Sequence, residues 1–331
     1  MDYAHKKTDK ELKLLEKRIS DEYKRAVKET QKKLDKYLSD FAVKDKIKQE
    51  ALKNGEITQQ EYNKWRLGQI MIGKRWEEMR DTLAEDYHNA NKIAAAMTRD
   101  FTYDVYALNH NYGTFEAETG SLIDTSYTLY DRHTVERLIR DDPTLLPPPG
   151  KRVSKRIADG KDVLWNKQVI QSVMTQSILQ GESIPKIAKR LSSAVGDKNM
   201  KSAIRNARTM TTGAENAGRV NSYKRAKDMG IDMEQEWIAT LDKRTRHEHA
   251  LLDGQKVEVG LPFEIAGYQL MYPGDPDAPP EMVYNCRCTL VGAVIGTRLA
   301  RISAGKLERN SRLGSISYDE WEDNHRKALG L

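Results

Sequence analysis

Residues 10–41 read KELKLLEKRISDEYKRAVKETQKKLDKYLSDF. Leu12, Leu15, Ile19, Tyr23, Ala26, Thr30, Leu34, Leu38 and Phe41 recur every three or four positions, with mostly charged residues between them. That period matches the turn of an α-helix, so the stretch predicts one long helix with a single apolar stripe. Such a stripe has to be buried against something. The residues that follow supply a partner. KNGEITQQEY (53–62) ends the first helix at Asn54-Gly55 and starts a second at Thr58, where Glu61 completes a Thr-x-x-Glu capping box. Trp65, Gln69, Ile72, Trp76, Met79, Leu83, Tyr87, Ala90, Ile93, Met97 and Phe101 then hold one face. The expectation is a long antiparallel helical hairpin over residues 1–110, roughly 50–70 Å long at the helical rise.

The pattern changes after the hairpin. NHNYGTFEAETG (109–120) reads as loop, and DDPTLLPPPGKR (141–152) carries four prolines, which forbid helix and favour an extended connector. Residues 111–160 are therefore expected to be an irregular, proline-rich connector, with a domain boundary near 145–155. Helical spacing resumes in DVLWNKQVIQSVMTQSILQG (162–181) and in ESIPKIAKRLSSAVG (182–196), where Pro185 suits a first helical turn. A further helix over about 198–228 has Ala, Gly and Thr along one side, small enough for close helix approach, and Gly230 ends it. Residues 161–232 thus read as a helical middle domain. From Met233 short extended segments and turns take over, and residues 233–295 read as a small α+β module. Residues 296–331 read as a polar, basic tail with one YDEW helical turn. The fold class expected is mainly α: a long hairpin and a helical middle region followed by a small C-terminal α+β module.

Composition narrows the function classes. The chain has 331 residues, 38% hydrophobic and 31% charged, which suits a folded, helix-rich protein with extended parts. No run of 18 apolar residues predicts a membrane span, and MDYAHKKTDKELKLLEKR (1–18) lacks the apolar core of a secretion signal. Folding in a reducing cytoplasm is the expectation. The net charge of +6 tolerates non-specific contact with double-stranded DNA, although the lysines of residues 1–50 alternate with acids as on any solvated helix.

Both cysteines lie in APPEMVYNCRCTL (278–290), as Cys286 and Cys288. His247 and His249 lie within about fifty residues of them, and thiolate with imidazole is a donor set that suits zinc. Were residues 242–251 helical, His247 and His249 would diverge, while Asp242 and His249, seven apart, would share a face. In an extended segment Cys286 and Cys288 point the same way. The candidate metal ligands are therefore His249, Cys286, Cys288 and Asp242, holding a structural zinc that staples a small irregular domain. Two other readings stay open at this level: buried packing of both cysteines, and a redox or disulfide role, which the one-residue spacing and a reducing compartment oppose.

Trp237, Asp242-x-Arg244-Thr245, His249, Asp253-Gly254-Gln255, Pro262-Phe263, Pro273-Gly274-Asp275-Pro276 and Asn285-Cys286-Arg287-Cys288 follow one another in an order that resembles the C-terminal module of phage minor head proteins, the Mu F-like or head morphogenesis family. NARTMTTGAENAGRVNSYKRAKDMGI is similar to the helix that precedes that module. Met210 stands where the family often has Glu after Arg-Thr. The likeness grades outward over residues 55–295. It implies a tailed-phage virion protein, assembled in the host cytoplasm and held in few copies in the head interior. Its implied partners are the portal protein and the capsid or scaffold interior, with no membrane in the assembled head. In some phages such proteins leave the head with the DNA. It also implies no catalysis. The alternative from the residues alone is a metal-dependent hydrolase acting on nucleic acid or protein, with Glu248 or Asp253 as base. Two thiolates filling most of a tetrahedral shell, and no His-Glu-x-x-His motif, argue for a structural site instead.

Overall fold

A computed structural model describes residues 2–145, 151–297 and 311–328. The chain is mainly α with a small sheet-bearing C-terminal region. Its helices are α1 (Tyr3–Lys53), α2 (Gln59–Ile70), α3 (Lys74–Ser121), α4 (Arg132–Asp141), α5 (Lys151–Ala158), α6 (Lys161–Leu179), α7 (Ile184–Leu191), α8 (Lys198–Asp228), α9 (His247–Leu252), α10 (Pro280–Val283) and α11 (Tyr318–Ala328). Its strands are β1 (Ile231–Ile238), β2 (Lys256–Glu258), β3 (Phe263–Ile265), β4 (Tyr268–Leu270) and β5 (Thr289–Thr297). The chain divides into two compact units, one of residues 16–97 and 151–204, the other of residues up to 15, 98–150 and from 205 onward. It passes between them inside α1, α3 and α8 as well as at 150/151.

The first unit is helical. Its α1 and α3 run antiparallel, because partners on α3 descend as those on α1 ascend. Tyr23 Oη donates to Asn91 Oδ1 (2.5 Å), Lys33 Nζ meets Asp86 (2.7 Å), and the Tyr37 ring lies 6.2 Å from that of Trp76. Ile19, Tyr23, Leu34, Leu38 and Phe41 are all buried, as the α1 stripe requires. The capping box at Thr58 forms as expected, with Glu61 N donating to Thr58 Oγ1 and Thr58 N to Glu61. The second arm is not one helix. It breaks at Met71–Gly73, where Gly73 has φ +87, a left-handed conformation that ends α2. Here α6 packs antiparallel to α3: Asp162 accepts from Asn91 (2.7 Å) and pairs with His88 Nδ1 (2.8 Å), Asn166 donates to Ala84 O, and Trp76 Nε1 donates to Gln171.

The second unit corrects the reading of residues 111–160 as an irregular connector. Helix α3 continues through Ser121 and residues 132–141 form α4 capped by Asp131 (Thr134 N to Oδ1, 2.7 Å), while in the first unit residues 151–158 form α5. NHNYGTFEAETG looks like loop because its residues are poor helix formers. Tertiary burial overrides that preference: Asn109, His110, Tyr112 and Glu118 are all enclosed. Pro147–Pro149 lie outside the described residues.

In this unit α8 crosses α3 at glycine. A Cβ on Gly218 would sit 2.6 Å from Tyr106 O and 3.0 Å from His110 N, both backbone atoms. We expect Gly218→Ala to destabilise the protein by about 2–3 kcal/mol, since neither backbone can yield. An unchanged melting temperature would show that the crossing tolerates a methyl group.

The sheet has the order β2-β1-β5, with all pairings antiparallel, and β3-β4 forms a separate hairpin. Along β1 burial alternates strictly, with Ile231, Met233, Gln235 and Trp237 inward. The tail reading also needs correction. Residues 311–328 are not merely polar: Leu313, Tyr318 and Trp321 are buried against Ala4, Tyr112 and Tyr127.

Candidate metal centre

The site is built from three places in the sequence. After β1, Thr240–Arg246 forms a turn held by its own side chains: Asp242 N donates to Thr245 Oγ1 (3.0 Å) and Arg244 N to Asp242 Oδ1 (2.8 Å). Such side-chain-to-backbone bonds compete with helix, so α9 starts only at His247. The third place is the Asn285–Cys288 segment leading into β5. Asn285 has φ +55, a left-handed conformation that asparagine tolerates.

Helix α8 holds that segment from behind. Thr209 Oγ1 accepts from Asn285 N (3.2 Å), Thr212 Oγ1 donates to Cys286 O (2.6 Å), and Asn216 Nδ2 donates to Cys288 O (3.3 Å). Asn216 Oδ1 also accepts from Leu290 N (2.9 Å), and Thr240 Oγ1 donates to Arg287 O (2.8 Å). The three carbonyls of Cys-Arg-Cys are thus each tied down. Thr209, Thr212 and Asn216 are positioning residues that the sequence reading did not single out. Their spacing puts them on one helical face, and that was the available signal.

The result is convergence of three donors. His249 Nδ1 lies 3.5 Å from Cys286 Sγ and 3.4 Å from Cys288 Sγ, and the three ligand atoms all fall within 4.8 Å of one another. All three residues are buried, and both cysteines are free thiols. In a tetrahedral zinc site with ordinary bond lengths, nitrogen and sulfur ligands lie about 3.6 Å apart. The observed separations fit that without rearrangement. Trp237 meets the His249 ring edge-on at 5.7 Å, and with Leu252 and Phe263 it belongs to the core that encloses the group. His249 Nε2 is buried without a hydrogen-bond partner. The two thiols titrate as a pair. Hydrogen bonding with Cys286 pulls the Cys288 thiol down, and the same bond together with burial pushes Cys286 up.

Asp242 does not join them. Its carboxylate takes a two-pronged bond from Arg287, Nη1 to Oδ2 at 2.6 Å and Nη2 to Oδ1 at 2.7 Å. Hydrogen bonds from Arg287, and then from the Arg244 backbone, hold it far below the usual carboxylate range. The expected ligand set of four therefore becomes three. The fourth face opens to a shallow depression whose rim includes Thr240, Arg244, Arg246 and Arg287. Asp253, one of the two bases named for the hydrolase reading beside Glu248, accepts from Ala239 N (2.7 Å).

Residues 168–291, which include the whole site, match the family described as Phage Mu protein F like protein. Across almost its full length the chain is also similar to the Minor head protein GP7 of Bacillus phage SPP1. The two are 26% identical over 310 residues, 89% of this chain and 92% of that protein. The chain is thus similar to phage minor head proteins, by a family model over residues 168–291 and by one relative along most of its length. A 175-residue stretch of the chain is 33% identical to the NAD(+)--arginine ADP-ribosyltransferase EFV of Enterococcus faecalis. The match takes in 53% of the chain but spans only about a third, 35%, of that relative. No solved structure matches the chain.

Proposed function

We propose that this protein is a structural component of a tailed-phage head, docked at the portal inside the capsid and acting in head assembly without catalysis. The single observation that carries this reading is the near end-to-end likeness to a minor head protein. The long α1–α3 arm offers extended helical surface for docking among subunits. On this reading the protein lies beside packaged DNA and accompanies or guides it on exit. No helix among the described residues is long and apolar enough to cross a membrane. The test is a deletion in the parent phage together with cross-linking in procapsids and full heads. We expect cross-links to the portal and a loss of infectivity. Fully infectious particles lacking the protein would reject the proposal.

His249, Cys286 and Cys288 would hold a zinc ion in this role, with the fourth position taken by water or another outside ligand. The ion would supply a redox-inert cross-link between α9 and the entry to β5, which suits a module of short strands. Purified protein is expected to carry one equivalent of zinc by metal analysis. Removal with a strong chelator should lower the melting temperature by 10 °C or more, and Cys288→Ser should do the same without chelator. Metal-free protein with an unchanged melt would leave the three residues as simple core packing.

A further inference from the structure

The residues around the depression are charged differently from the rest of their region. Between Ile231 and Thr297 there are eleven carboxylates against five lysines and arginines. Four of those five cations, Lys243, Arg244, Arg246 and Arg287, sit in the Thr240–Arg246 turn or the Cys-Arg-Cys segment that form the depression. A further arginine comes from α8: the Arg205 guanidinium lies 5.7 Å from the ring of Tyr284, next to Asn285. Asp242 bonds into this group through Arg287 and Arg244, and against its one charge the five cations keep a positive excess.

Four of the eleven acids lie at the far end of the sheet. Asp232, Glu234 and Glu236 alternate along the outer face of β1, and Glu258 faces Glu234 from β2. At about 3.3 Å per strand residue, they stand roughly 13 to 26 Å along β1 from Thr240. That is beyond one screening length, about 8 Å at physiological salt. The separation lets one end of the module attract a polyanion while the far end repels it.

We propose that this arginine-rich depression is where the protein holds the phosphate backbone of double-stranded DNA. The inference rests on the reading of the protein as a neighbour of packaged DNA, and it names the surface that makes the contact. Three features favour phosphate over an acidic protein segment. The cations are mostly guanidinium, whose planar fork matches phosphate oxygens. Two are held in place, Arg287 by Asp242 and Arg246 by the Tyr284 carbonyl, so little side-chain entropy is lost on binding. Between them stand hydroxyl and amide groups (Thr240, Thr245, Asn285) rather than an apolar groove that could seat a peptide side chain. Backbone contact of this kind carries no sequence preference.

The test uses full-length protein and a random-sequence duplex, followed by fluorescence anisotropy across a salt series. The site variant is Arg205→Gln/Lys243→Gln/Arg244→Gln, which changes only exposed residues and spares Arg246, Arg287 and the Cys/His group. The control variant is Lys24→Gln/Lys28→Gln/Lys32→Gln, on the exposed face of α1. Circular dichroism melts confirm that both fold. We expect the site variant to bind at least tenfold more weakly, with a salt slope shallower by about 2–3, while the control stays within threefold of the parent. Equal losses in the two variants would overturn the proposal in favour of diffuse electrostatics. A site variant that keeps the parent's isotherm would also overturn it and reassign the patch to an acidic protein partner. If the parent itself fails to bind, the proposal and the DNA part of the functional reading fall together.

Discussion

Asp2→Ala is expected to cost about 3–5 kcal/mol of stability, although it removes a small side chain near the chain's beginning. The reason is Arg219. Its side chain is 0% exposed, and its charge is balanced by the Asp2 carboxylate through Nη1 (2.9 Å) and Nη2 (2.8 Å). The same guanidinium donates to Asn109 Oδ1 (3.0 Å) and Leu290 O (2.7 Å), and it lies over the Tyr112 ring. One cation thus ties the start of α1 to α3, α8 and β5. Beside it His5 pairs with Glu215 at 2.6 Å, and Thr289 donates to that same carboxylate oxygen. Removing Asp2 leaves a desolvated charge whose remaining hydrogen-bond partners are neutral, beside a Glu116 carboxyl that burial pushes up to about 7, which is far worse than removing both charges. Arg219→Met alone should also be severe, but the double variant Asp2→Ala/Arg219→Met should lose less than the sum of the two. Chemical unfolding of the four proteins reads this directly. A loss below 1 kcal/mol for Asp2→Ala would mean that water reaches Arg219.

Trp321→Ala is expected to cost a similar amount, about 3–5 kcal/mol, from a segment whose composition suggests a dispensable tail. Trp321 is 1% exposed. It stacks with Tyr127 and Tyr318, meets Phe115 edge-on, and donates Nε1–H to Glu118 Oε2 (2.7 Å). Glu118 is itself buried and already accepts from Thr125 N and Oγ1 on its other oxygen. The alanine variant therefore opens a cavity and leaves a buried carboxylate oxygen without its donor. Trp321→Phe should recover the packing but not the hydrogen bond, and so fall between alanine and the parent. If the alanine variant melts with the parent, α11 does not stay docked in solution.

The features legible in sequence are those with a local cause. The stripe of α1 shows because 3.6-residue periodicity is a property of consecutive residues, and the capping box shows because Thr58 and Glu61 answer each other three residues apart. The pairing of Cys286 and Cys288 on one side followed from extended geometry, and their meeting with His249 followed from donor chemistry. Asp242 was misplaced for an equally physical reason. The seven-residue spacing to His249 brings them together only on a helix, and Asp242 and Thr245 make a turn instead. Nothing local announces that Arg287, forty-five residues on, would take the carboxylate.

By itself, then, the sequence determined the helical arms, the small sheet-bearing module, the likeness to phage minor head proteins and the candidate donors His249, Cys286 and Cys288, because each rests on periodicity, caps, spacing or residue chemistry within a short stretch. Only the tertiary structure decided that residues 109–121 stay helical, that Trp321 belongs to the core, that Asp242 serves Arg287, and that α8 carries the cysteine segment. Each of those outcomes depends on burial against residues distant in the chain, and burial changes the free energy of a helix, a charge or an indole by more than its local preference does.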